Sequence, residues 1–154
     1  MIELTRMTET DYDLFMEISK KVFMDDQVKA GHWRAEEAEG AMQQLVNEIL
    51  PEGDTTPDHT FYSIRADSEI VGGLWLMLER DGGNLIWFVV DIEIYPDYRR
   101  RGYAQQAFLV MEENARQAGI RAITLHVFEH NLAARALYEK LGYSGEGTDL
   151  LKRL

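Results

Sequence analysis

The sequence predicts a mixed α/β (α+β) fold, a central mixed and mostly antiparallel sheet of about six to seven strands flanked by about four helices. Three β-rich runs, His59–Ala66, 70–79 and 85–95, follow one another with only turn residues between them. Helical periodicity then separates 85–95 from a further β-rich run, 121–128, and a strand, helix, strand unit calls for parallel strands. Both ends of the chain add amphipathic helical spacing.

Taken in order, Ile2–Arg6 reads as a short strand. A helix starts near Thr8 or Thr10 and carries Leu14, Phe15, Ile18 and Val22 on one face. Residues 25–33 are polar and contain Gly31, which predicts a loop. Ala38, Ala41, Met42, Leu45, Val46 and Ile49 give a second helix, stopped by Pro51 and Gly53, with a loop over 52–58. Asp67-Ser68 and Asp81-Gly82-Gly83-Asn84 are hairpin turns between three successive antiparallel strands. After Gly102, the residues Ala104, Ala107, Phe108, Met111, Ala115 and Ala118 recur at helical spacing, and Gly119 ends that helix. Residues 131–141 make a last helix closed by Gly142, and the tail supplies one or two short strands around Gly145 and Gly147.

A chain of 154 residues suits a single domain over 1–154. It has no cysteine, which removes disulfides, thiolate metal sites and cysteine nucleophiles. No apolar stretch is long enough to span a bilayer, and Met1-Ile2-Glu3-Leu4 is not an export signal, so the expectation is a cytoplasmic protein without a membrane partner. The net charge of −11 argues against a nucleic-acid partner, because phosphates would be repelled. It favours a cationic partner, or serves solubility alone.

The most informative segment is Ile92-Glu93-Ile94-Tyr95-Pro96-Asp97-Tyr98-Arg99-Arg100-Arg101-Gly102-Tyr103-Ala104. A strand runs through a proline turn and an arginine run into a helix, which aims a helix N-terminus beyond the strand end. No Gly-Lys-Ser/Thr follows, so this is not a Walker loop, and Ala104 and Ala107 stand where a dinucleotide fingerprint wants glycines. Backbone N–H groups at such a turn can cradle a pyrophosphate while arginines neutralise it, and Gly102 permits close approach. The plainer reading of Arg99, Arg100 and Arg101 is a solvated surface.

Arg99-Arg100-Arg101-Gly102-Tyr103-Ala104 resembles the Arg/Gln-x-x-Gly-x-Gly/Ala signature of the GNAT acyltransferase superfamily. Independently, Asn131-Leu132-Ala133-Ala134-Arg135-Ala136-Leu137-Tyr138-Glu139-Lys140-Leu141-Gly142-Tyr143 resembles that family's later motif, an Asn followed by a helix ending in Leu-Tyr-Glu-Lys-Leu-Gly-Tyr/Phe. The element order agrees over essentially the whole chain, so a GNAT-like fold is expected. The resemblance implies acetyl-CoA as cosubstrate, bound where the fourth and fifth strands splay apart. The backbone at Arg99, Arg100, Arg101, Gly102, Tyr103 and Ala104 would hold the pyrophosphate, and that near Ile92 and Ile94 the pantetheine arm. Asn131 would bind the pantetheine or a water, or cap the last helix. Tyr138 is the family's usual proton donor to the departing thiolate, although a helix tyrosine beside Leu137 and Leu141 also packs.

A thiol with pKa about 8.5 leaves as thiolate at pH 7 with a penalty of roughly 2 kcal/mol, whereas an amine with pKa about 10.4 loses a proton at roughly 4.6 kcal/mol. Deprotonating the acceptor is the larger problem. Asp91 and Glu93 alternate with Ile92 and Ile94, which puts both carboxylates on one strand face with Tyr95 unless a bulge intervenes. Glu93 is the first candidate base, directly or through water, and Asp91 the second. Their alternative is pairing with the arginines or facing solvent. His126 and His130 are lesser candidates, no metal-ligand spacing is present, and no Gly-x-Ser-x-Gly elbow occurs.

In the fold so implied, the first two helices wall the acceptor side, and this segment carries Asp25, Asp26, Glu36, Glu37 and Glu39 with His32 and Trp33. That composition suits a cationic amine, and equally compensates a helix dipole. The leading function is an N-acetyltransferase moving acetyl from acetyl-CoA directly to a primary amine of a small molecule or peptide. The alternative is a noncatalytic acyl-CoA-binding or sensing module, which has no need of Tyr138 or a base. A sheet edge near the C-terminus is compatible with a homodimer.

Overall fold

The two hairpin turns organise the sheet. A computed structural model describes residues 1–154. Strands β1 (Ile2–Arg6), β2 (His59–Ala66), β3 (Glu69–Asp81), β4 (Asn84–Ile94), β5 (Ile120–His126) and β6 (Asp149–Arg153) lie in chain order across one sheet. Tight turns make β2, β3 and β4 antiparallel neighbours. Only β4 and β5 are parallel, because a whole helix, α3 (Tyr103–Gln117), carries the chain back between them.

Helices α3 and α4 (Leu132–Lys140) contribute Phe108, Met111 and Tyr138 to the larger core, against Ile64, Leu74, Val89 and Ile123. Helices α1 (Glu9–Lys29) and α2 (Ala38–Ile49) flank a second core in which Phe15 and Met16 meet Phe61 and Trp75. Helix α1 begins with a capping box: Asp11 N–H donates to Thr8 Oγ1 at 3.1 Å, and Thr8 N–H donates to Asp11 at 3.3 Å. No helix is long and apolar enough to cross a membrane.

One irregularity decides how the sheet is used. Trp75 stands opposite Asp91 but Leu76 opposite Val89, so Val90 is an extra residue in β4, a β-bulge. Before it, Leu85, Trp87 and Val89 pack on the α3/α4 core; after it, Ile92 and Ile94 do. The parity switch turns Asp91 and Glu93 to the α1 face. Pairing of β4 with β5 also stops there, at Val89 opposite Leu125, and the two strands part beyond it.

A buried charge ties α3, α4 and β6 together. Glu112 accepts from the Tyr143 hydroxyl and from Lys152 Nζ, both at 2.8 Å, and the same ammonium donates to Leu141 O at the end of α4.

Three expectations are corrected. Residues 25–29 continue α1, because no breaker precedes Gly31 at φ +80°. Leu14 is 47% exposed, and the buried line of α1 is Phe15, Met16 and Ser19. The C-terminal strand lies beyond Gly145 and Gly147, and only an isolated bridge, Ser144 to Leu151, precedes it.

At Gly72 an added Cβ would strike the backbone carbonyl of Glu93, whereas at Gly40, in α2, it meets nothing within 4 Å. Gly72→Ala is expected to destabilise by about 1–3 kcal/mol, and Gly40→Ala to stabilise by about 0.5–1 kcal/mol, read as opposite shifts in urea midpoint.

Candidate active site

Where β4 and β5 part, a cavity of about 470 Å³ passes between the two faces of the sheet. Asp91 and Glu93 enter it from β4, Ser19 from α1, and Tyr138 from α4. Ile92, Ile94, Ala104 and Asn131 also line it.

The carboxylates behave as a pair. Asp91 accepts from Ser19 Oγ at 2.5 Å and shares a hydrogen bond with Glu93. Burial pushes Glu93 up to about 10, and the adjacent Asp91 charge adds to the shift. Burial raises Asp91 as well, but hydrogen bonds from Glu93, Ser19 and the Ile92 backbone oppose it. Burial thus favours the protonated form of both groups, and the hydrogen bond between them makes them one proton-sharing unit rather than two separate acids. The neighbouring Tyr95 phenol is pushed up to about 12, first by burial and then by the carboxylates around it.

Tyr138 is 9% exposed, with its ring 5.4 Å from that of Phe108 and 6.3 Å from that of Tyr143. Burial, then the charges of Asp91 and Glu93, raise its hydroxyl above the ordinary phenol range. It stays a neutral donor. Carboxylates from one face and a phenol from the other thus line the same opening.

Beyond β4 the chain turns through Pro96–Tyr98. Arg99 Nε donates to Ile94 O at 2.9 Å, and Arg101 donates to Asp97 O at 3.3 Å with its guanidinium 5.8 Å over the Tyr98 ring. Two of the arginines therefore brace the turn itself. Arg100 and Gly102 both take left-handed backbone, at φ +65° and +78°. The first bond of α3 is Gln106 N–H to Gly102 O at 3.1 Å, so the N–H groups of Tyr103, Ala104 and Gln105 have no helical acceptor. No side chain caps this end and no acid lies in its first turn, unlike α1. Its chemistry fits an anion such as a pyrophosphate.

Asn131 caps α4, its Oδ1 accepting from Ala134 N–H at 3.2 Å, while its residue also borders the cavity. His126 lies 3.1 Å from Asp149, and His130 lies 2.8 Å from Asp26. Of the acidic residues in the first two helices and their loop, only Asp26 reaches the cavity; Asp25, Glu36, Glu37 and Glu39 face solvent. Sequence reasoning missed Ser19, whose only signal is a small polar residue on the buried line of α1.

Residues 20–143 match the acetyltransferase (GNAT) family. The chain is 36% identical to the uncharacterized N-acetyltransferase YycN of Bacillus subtilis over 154 residues, 99% of each chain. The crystal structure of YycN superposes with a TM-score of 0.90, covering 96% of this chain and 95% of that one. Two more distant structures share the fold: PaiA N-acetyltransferase of Thermoplasma acidophilum with coenzyme A, at 21% identity, TM-score 0.70 and coverage of 100% and 99%, and spermidine N-acetyltransferase of Vibrio cholerae with CoA and spermine, at 14%, 0.69, and 99% and 95%.

A glutamate ordinarily releases its proton near 4.5, whereas Glu93 holds it to about 10. Between those values the folded chain binds the extra proton, so stability falls as pH rises. Glu93→Gln is expected to flatten that fall and to raise the urea midpoint at pH 9 above wild type. Parallel pH profiles for the two proteins would mean that Glu93 is ionised.

Proposed function

The chain belongs to the GNAT family of acetyltransferases and is an acetyl-CoA-dependent enzyme, and from that premise we propose that it transfers acetyl directly to a primary amine. The observation that carries this reading is the convergence of the Asp91–Glu93 pair and Tyr138 on one cavity from opposite faces of the sheet. An amine is itself the nucleophile, so no covalent enzyme residue is required.

In the proposed reaction Asp91 takes a proton from the acceptor ammonium, while Glu93 keeps its own proton and holds Asp91 in place. The amine nitrogen bonds to the thioester carbonyl carbon, the carbon–sulfur bond breaks, Tyr138 gives its proton to the departing thiolate, and the second proton that the nitrogen sheds on becoming an amide restores the Tyr138 hydroxyl. The uncapped start of α3, from Arg100 to Ala104, receives the CoA pyrophosphate, with Arg99 and Arg101 shaping the turn. The unpaired edge of β4 near Ile92 and Ile94 faces the pantetheine arm, with Asn131 across the gap. A noncatalytic acyl-CoA-binding module would have no use for two carboxylates buried side by side.

Thiol release from acetyl-CoA in the presence of an amine is the test. Tyr138→Phe and Asp91→Asn should each lower kcat by about 10²-fold or more with the acetyl-CoA KM little changed. Arg100→Glu should instead raise the acetyl-CoA KM. Unchanged turnover in both Tyr138→Phe and Asp91→Asn would overturn the assigned roles.

A further inference from the structure

We propose that the acceptor is a small monoamine carried on an aromatic or branched-alkyl body, an inference that rests on the transfer reaction proposed above. The acceptor half of the cavity, walled by α1, α2 and the sheet, is apolar: Met16, Met42, Val46, Ile49, Phe88 and Val90 face it. The charged groups there are few. Asp91 and Glu93 form the pair that receives the reacting ammonium, Asp26 is engaged by His130 at 2.8 Å, and Lys20 is positive.

A polyamine fits this wall poorly. Its second ammonium would lie against methionine and valine side chains, stripped of water and unpaired, with Lys20 adding repulsion. Asp25, Glu36 and Glu37 point to solvent, and Glu39 lies with Asp13 and Glu17 along a separate groove that borders Met16, Met42 and Val46, outside the cavity itself. An apolar body gains where a second charge loses, since each methylene held in an apolar pocket is worth roughly tenfold or more in specificity.

The acceptor is small because the cavity is strapped. Phe23 of α1 lies 6.0 Å from Phe128, and Asp26 of the same helix bonds His130, so α1 is joined to the segment that follows β5. Both phenylalanines and Asp26 line the cavity. A polypeptide would have to part these contacts, whereas a ring on a short alkyl chain need not.

The experiment compares phenethylamine, 3-methylbutylamine, spermidine and a short peptide with N-terminal methionine as acceptors, with wild type and Val46→Asp. Phenethylamine or 3-methylbutylamine should exceed spermidine and the peptide in kcat/KM by about tenfold or more. Val46→Asp should lower phenethylamine kcat/KM by about tenfold and narrow its lead over spermidine, with the acetyl-CoA KM unchanged. Should Val46→Asp fail to fold, Val46→Thr, of the same shape, is expected to move the preference in the same direction. Faster turnover of spermidine or of the peptide would overturn this inference and leave acetyl transfer to amines standing. Turnover of no amine by a protein whose melting temperature acetyl-CoA still raises would overturn both.

Discussion

A single extra residue, Val90, sets the terms for the site. A strand alternates its side chains strictly, so without the bulge Asp91 and Glu93 would share the face of Leu85, Trp87 and Val89 and point into the main hydrophobic core. With it, they face α1 and meet Ser19, while Ile92 and Ile94 keep the core filled. The same irregularity ends the β4–β5 ladder and leaves a gap through the sheet. Carboxylates and phenol, anchored on opposite faces, can meet only through such a gap.

The electrostatics divide between backbone and side chain in an unexpected way. In a chain of net charge −11 the start of α3 presents free peptide N–H groups beside guanidinium charge, and Arg99 and Arg101 also hold the turn in shape. The acidic side chains, conversely, act where they are few and buried. A pair of carboxylates out of water holds protons more tightly than a solvated pair, and this sets Asp91 and Glu93 apart from the ordinary acids of the surface.

Much of this was legible in the sequence because it is written in local pattern. The Gly-Gly turn at 82–83, the helical spacing after Gly102 and the glycine stops at 119 and 142 set five of the six strands and all four helices near their observed places. Leu14 misled because a hydrophobic residue on a helix need not lie on its packed side, and the end of α1 misled because polar residues alone do not stop a helix. A bulge between Asp91 and Glu93 would have separated them; the observed one precedes both and turns them together, and nothing in Val89-Val90-Asp91 announces it, since it arises from register against β3. Ser19 and the bridge from Asp26 to His130 depend on contacts between segments 72 and 104 residues apart, which no local pattern encodes.

The parallel ladder of β4 and β5 runs only from Leu85 opposite Ile120 to Val89 opposite Leu125. It is also the seam between two pieces of the chain. On one side stand the β1–β4 meander with α1 and α2; on the other stands β5, with β6 and α4 fastened to α3 through Glu112, Tyr143 and Lys152. The cavity lies along this seam at the unstitched end of the ladder. Helix α3 packs on β1 and β4 as well as on β5, so one core bridges the seam along its stitched length, and the opening is as wide as the ladder is short.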